Sequence, residues 1–291
     1  MKTAKEYRAL AWGDLRAQFK QSSIIIFFVM VIALIAVSAL VGAAAVAVMQ
    51  ESLIGWMMFA GVLLAIIFGV SVLDFYQPVW FLNLIRDREA PWYETKVGYA
   101  RALGVALLML IPTVLSEIVD GLSKILDHMH DAHWSVLLIV ALAILVLAVA
   151  SLVFTFWWAY AVSSVLPYRV MDHEDRSVMQ SLKDSIRMMD SYKWKLFCVD
   201  FLIYIWPLVV LFVLLGVVII LSVLVAFAHA ASAIMAVGYV LTGALLTVTL
   251  LVYAFMVKPM IYFARARFYE DLKAELEAPE EEVIEEVKSE E

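Results

Sequence analysis

Charge is what this sequence has least of, and the shortage is concentrated. Positions 132 to 168 and 201 to 257 contain no Asp, Glu, Lys or Arg, and none occurs between Lys20 and Glu51. Only 17% of the 291 residues are charged while 65% are hydrophobic, against about 25% charged in soluble domains. A water-soluble fold is excluded. Cysteine is almost missing: Cys198 stands alone, so an internal disulfide and a cysteine-based metal site are excluded, and its apolar neighbours mark it as a small buried hydrophobe. Also missing are a Gly-rich phosphate loop, HExxH, GxSxG and any Cys/His nucleophile arrangement. The middles of the apolar runs carry no ionisable groups, whereas proton-coupled transporters and intramembrane hydrolases depend on such groups at membrane depth. No catalytic residues, no enzyme activity, no cofactor and no nucleic-acid partner are expected.

What is present is a succession of apolar runs long enough to cross a bilayer, which takes ~20 residues. Residues 1–21 hold Lys2, Lys5, Arg8, Arg16 and Lys20 with Tyr7, Leu10, Ala11, Leu15 and Phe19 at helical spacing, the pattern of a basic helix lying on the membrane surface. Six spans are expected, at about 22–49, 53–73, 98–119, 134–166, 196–228 and 231–257, within a transmembrane domain of residues 22–272. The first is about twice the length of a signal-peptide core, which argues against cleavage after Ala43, Ala44 and Ala45. The third is the weakest, spanning only if Arg101 snorkels, with Pro112 expected to kink it. The stretch from Arg176 to Asp200 is charged and amphipathic, with Val178, Leu182, Ile186 and Met189 on one stripe and Gln180, Lys183, Asp184, Arg187 and Asp190 opposite, so it is expected to lie along the surface and turn inward through Trp194 and Phe197. Residues 273–291 form an acidic tail, helical at first and expected to be disordered beyond Pro279; eleven of the 28 acids lie between Glu270 and Glu291.

With six spans, 20 of the 21 Lys and Arg residues fall on one side and only Lys124 on the other, which places both termini in the cytoplasm. The even-numbered spans leave the membrane at Pro78, Pro167 and Pro259, spaced by 89 and 92 residues, and Arg86 and Arg267 each follow their proline by eight. These spacings suggest three hairpin repeats, although prolines commonly mark helix ends. The fold class is therefore all-α: a polytopic membrane protein of six transmembrane helices in three hairpins, with cytoplasmic amphipathic helices. Mitochondrial-type carriers, which have a proline followed by an acid and a base on the odd-numbered helices, are excluded.

The chemistry-bearing residues gather at the cytoplasmic ends of the spans: Asp74, Tyr76, Gln77, Tyr168, Lys193, Lys195, Asp200, Tyr204, Tyr262 and Arg265. A charge partly inside hydrocarbon is costly unless paired, so Asp74 and Asp200 should each find a base or hydroxyl. A structural pairing layer is the default reading of this cluster, and a site for a lipid headgroup or other ligand is the sharper one. His128, His130 and His133 form the one metal-like group, but spacings of two and three do not match the i, i+4 pair of a zinc-binding helix, and a solvated loop is the default. Gly42, Gly61, Gly69, Gly104, Gly238 and Gly243 read as helix-packing contacts.

The runs PYRVMD (Pro167 to Asp172), SLKDSIRMMDSYKWKLFCVD (Ser181 to Asp200) and KPMIYFARARFYEDL (Lys258 to Leu272) resemble the bacterial membrane family known as domain of unknown function nine-seven-five. The similarity lies in the Lys193 to Phe197 helix entry with Asp200, and in Pro259 with Ala264, Ala266, Phe268 and Tyr269; it covers the second half well and the first half by layout alone. The fifth span departs from it, with Leu202, Ile203, Tyr204, Ile205 and Trp206 where the family has a Ser-Phe-x-x-Trp run. Related membrane domains are fused to glycerophosphodiester phosphodiesterases, whose catalytic domain this chain lacks. The resemblance implies a six-helix, multi-pass inner-membrane protein and no activity. A non-enzymatic accessory, scaffold or lipid-interacting protein is thus expected, with membrane lipids as partners and a protein partner available to the acidic tail. The alternative is a small-molecule permease with a cavity between the hairpins, which polar side chains near the midplane would favour.

Overall fold

The computed structural model describes residues 1–50, 53–86, 91, 93–95, 97–127, 134–227, 240, 243–245 and 247–277. They form helices and no strand: α1 (Ala4–Ala17), α2 (Phe19–Gln50), α3 (Leu53–Arg86), α4 (Tyr99–Met109), α5 (Ile111–Asp127), α6 (Trp134–Trp158), α7 (Leu166–Asp172), α8 (Val178–Met188), α9 (Lys193–Phe227) and α10 (Lys258–Glu277). Two π-helical turns, Ala159–Ser163 and Tyr253–Val257, join α6 to the start of α7 and lead into α10. Five helical runs among the described residues are long and apolar enough to cross a membrane: Phe19–Met49, Leu53–Arg86, Tyr99–Lys124, Leu138–Asp172 and Gly243–Leu276. The last is apolar only as far as Val257, and beyond it α10 carries eight charged residues.

Two helix starts are set by side chains. Thr3 caps α1 in a reciprocal box with Glu6, and Ser177 caps α8 in the same way with Gln180; each box satisfies two amides that have no partner within the helix. The break expected at Pro112 falls at Leu110, whose amide is shared among the carbonyls of Ala106, Leu107 and Leu108, because the proline ring offers no amide to the last of these. Pro78 behaves differently. It does not end α3, which runs on to Arg86 with the proline inside it. Pro167 lies in the first turn of α7 and Pro259 in that of α10, each shortly after a π turn, so only the second and third prolines share a setting.

The described residues fall into two compact units, one within Met1–Phe28, Phe81–Trp92 and Lys195–Glu291, the other within Val29–Trp80 and Tyr93–Trp194. In the first unit α1 packs along α10. Tyr7, Ala11 and Leu15 are buried, with the Tyr7 ring 5.3 Å from Phe268. The apolar face of the basic N-terminal helix is therefore covered by protein, while Leu10 and Phe19 remain exposed. Phe81, at the end of α3, stacks on Tyr262 and meets Phe263 edge-on, both at 5.0 Å. In the second unit α5 packs along α6, and Val72, Phe75, Val79, Ala102, Val105, Ala161, Val162 and Leu166 form an apolar core with Leu182 of α8.

The face α8 buries is rotated from the expected stripe. Ser181, Leu182 and Ser185 are buried, together with Met189 just past the helix, whereas Val178 and Ile186 flank them. Serines at the centre let the helix approach closely, and Ser185 Oγ donates to the Ser181 carbonyl at 2.8 Å, so its burial leaves no unmet donor. This face packs on α4, α7 and the first π turn; the Val178 side chain lies 3.6 Å from where a Cβ on Gly104 would stand. Trp194 points outward, 67% exposed.

Candidate functional site

The ten polar candidates divide evenly between the units. In the second unit Asp74 is exposed, Gln77 and Tyr168 are buried, and Tyr76 donates to the Val97 carbonyl at 3.3 Å while stacking on Trp80. Lys193 reaches Asp190 at 2.9 Å and lies 5.5 Å above the Trp157 ring. In the first unit Asp200, Tyr204 and Arg265 come together. Arg265 Nη2 donates to Asp200 Oδ2 at 2.7 Å and Nε to the same oxygen at 3.2 Å; the carboxylate is 1% exposed. Tyr204 stacks against Tyr253 with centroids 6.4 Å apart. Tyr262 lies over Phe81, with Lys258 Nζ 5.8 Å from its ring, and Lys195 is half-buried. His128, His130 and His133 lie outside the described residues, among which no group of three metal-ligating side chains occurs.

Further polar contacts had no counterpart in the expected cluster. Arg267 grips Asp14 through Nε and Nη2 at 2.8 and 2.9 Å, joining α10 to α1. Asp14 follows Tyr7 by seven residues and Ala11 by three, and an acid on the apolar face of an amphipathic helix was the signal for it. Asp271 accepts from Lys2 Nζ at 2.7 Å and from Tyr7 Oη at 2.8 Å. Burial opposes its charge, but these two hydrogen bonds hold the carboxyl below its ordinary range; burial and then the same carboxylate push the Tyr7 hydroxyl up. In the second unit Arg101, expected to snorkel toward the membrane surface, donates to the carbonyls of His173, Glu174 and Arg176 at 2.7–2.9 Å. Asp184, placed by periodicity on the solvated side of α8, is bonded to Arg176 and lies 3.6 Å from Arg169.

Beside the Asp200–Arg265 pair, within the first unit, opens a groove of about 1020 Å³, at the upper end of the ~300–1,000 Å³ usual for ligand pockets. One wall is α9 from Leu202 to Val210, the other runs from Val248 to Met260, and α1 contributes Lys5, Arg8, Ala9 and Trp12 at the rim. Both long walls depart from regular α-helix. Pro207 in α9 offers no amide to the carbonyl four residues back, and the opposite wall contains the wide turn Tyr253–Val257. The lining is apolar except at Lys5, Arg8, Thr249 and the tyrosines; the Thr249 hydroxyl is already bonded to the Leu245 carbonyl at 2.8 Å. This is a shape for a hydrocarbon chain with a charged end.

Compared with known proteins, the chain matches no family model, no curated protein and no solved structure.

Proposed function

We propose that this chain is a non-enzymatic, six-span protein of the bacterial inner membrane, with both termini cytoplasmic, acting as an accessory or scaffold factor that engages membrane lipid. The Asp200–Arg265 pair carries this reading: a buried carboxylate at the edge of the charge-free run is neutralised by a guanidinium of another helix, a structural use of both charges. Added to the five apolar runs, α9 supplies the remaining span, fifth in chain order, since its residues 201–227 hold no charge over a length ample for a bilayer. The resemblance to the nine-seven-five family supports the same architecture, and the acidic tail is offered to a protein partner.

The permease reading loses ground because the groove is walled with aliphatic and aromatic side chains, whereas a solute path requires polar groups at mid-depth. Single-cysteine labels at positions 124 and 183, in an otherwise cysteine-free chain, should report opposite sides of the membrane, the second cytoplasmic. Proteoliposomes should take up none of a panel of sugars, amino acids and ions. Labels on the same side would overturn the six-span topology, and saturable uptake would establish the permease.

A further inference from the structure

The groove of the first unit has two chemically different ends. Its walls, from Leu202 to Val210 and from Val248 to Met260, lie within the charge-free stretch 201–257 except at Met260. Its rim is one face of α1, where Lys5 and Arg8 stand one helical turn apart with Trp12 a further turn on. Four other bases of this unit are committed to acids: Lys2 to Asp271, Arg86 to Glu270, Arg265 to Asp200 and Arg267 to Asp14. Lys5 and Arg8 have neither a hydrogen bond nor an ion pair to any described residue, although Glu6 lies between them in sequence: its carboxylate is turned back to Thr3 in the capping box.

We propose that this groove is a specific site for one anionic phospholipid, with an acyl chain between the α9 wall and the Val248–Met260 wall and the headgroup phosphate held by Lys5 and Arg8. Two cations at i and i+3 on one helix can bracket a single phosphate, and arginine adds a planar fork suited to its oxygens. Trp12, Tyr204 and Trp206 set an aromatic collar where a lipid changes from headgroup to chain, the level such rings favour at a membrane interface. Pro207 and the π turn Tyr253–Val257 give the site its width, since both interrupt regular helix where the two walls face the groove. α1 is then a headgroup clamp fixed to the protein by Asp14–Arg267 and by the Lys2–Asp271–Tyr7 contacts, and it does not rely on lipid to cover its apolar face.

This proposal rests on the membrane-embedded reading above, and its test is separable from the test of that reading. Full-length protein in mild detergent is supplied with equal amounts of phosphatidylglycerol and phosphatidylcholine, and retained lipid is counted by native mass spectrometry. The wild type should retain a single phosphatidylglycerol in preference to phosphatidylcholine. Lys5→Gln/Arg8→Gln should cut that preference by about tenfold or more, because each base near an anionic surface contributes ~1 kcal/mol. Thr249→Trp, which fills the groove from one wall, should lose both lipids. Lys183→Gln/Arg187→Gln, removing exposed bases of α8, should change nothing. If the groove-filled variant does not fold, brominated phosphatidylglycerol supplies a second readout on the wild type: it should quench tryptophan fluorescence more than brominated phosphatidylcholine, and Trp12→Phe/Trp206→Phe should erase that difference. Equal retention of the two lipids by the wild type, or equal losses in the α1 and α8 variants, would overturn the site while leaving the topology untouched.

Discussion

In the unit that contains α1 and α10, carboxylates meet guanidinium and ammonium groups across helices far apart in sequence: Asp14 with Arg267, Asp200 with Arg265, Lys2 with Asp271. In the other unit Arg101 is bonded to three backbone carbonyls of the 173–176 turn, and Asp184 serves two neighbouring arginines, so α8 is fastened over an aliphatic core. The first arrangement joins side chain to side chain and leaves a groove beside it. The second adds to one carboxylate, Asp184, an arginine held on backbone carbonyls, and it closes over its core. A carbonyl does not titrate and a carboxylate does, so the Arg101 contact should answer differently to mutation and to acid from the carboxylate pairs of the first unit.

The sharpest way to break the comparison is Asp200→Leu. Leucine is the better residue for hydrocarbon, yet it strands Arg265, and losing one member of a buried pair costs roughly 3–5 kcal/mol; a large fall in melting temperature in detergent is expected, and a rise would mean that the pair is not structural. Arg101→Leu comes next, at about 2–3 kcal/mol for carbonyls left without donors, and its cost should be the same at pH 4.5 and pH 7. Asp14→Asn keeps a hydrogen-bonding side chain but loses the charge, so ~1–2 kcal/mol is expected, with hydrogen exchange rising along α1 and α10 and unchanged in α8. The smallest effect is the response of α1 to acid. Asp271 has a lowered folded value, so its contribution is present above about pH 4, the usual carboxylate range, and is lost as pH falls through the lower folded value. Amide exchange in α1 should therefore increase below that range, and Asp271→Asn should raise it already at neutral pH and make the remaining increase smaller.

Much of this layout was legible because its cause is local. The absence of charge from 21 to 50 and from 201 to 257 dictates long helices, and α2 ends within one residue of the expected span. The need of Asp200 for a partner followed from its place between Val199 and Phe201, at the edge of a charge-free run. Features that depend on what lies opposite were hidden. The buried face of α8 is centred on serines, which hydropathy counts as polar, and its rotation follows from the close approach of α4 near Gly104. The continuation of α3 through Pro78 and the two π turns leave no periodic signature, since one missing amide or one extra residue per turn does not change composition. Arg267 as the partner of Asp14 required a pairing across 253 residues.

That last separation has a consequence for biosynthesis. Tyr7, Ala11 and Leu15 leave the ribosome long before α10 exists, and at about 5–20 residues per second the interval is roughly 13 to 50 s. Through that time the newly made α1 lacks the surface that later covers it, and its apolar face stays unburied until α10, with Arg267 and Asp271, arrives to complete the fold.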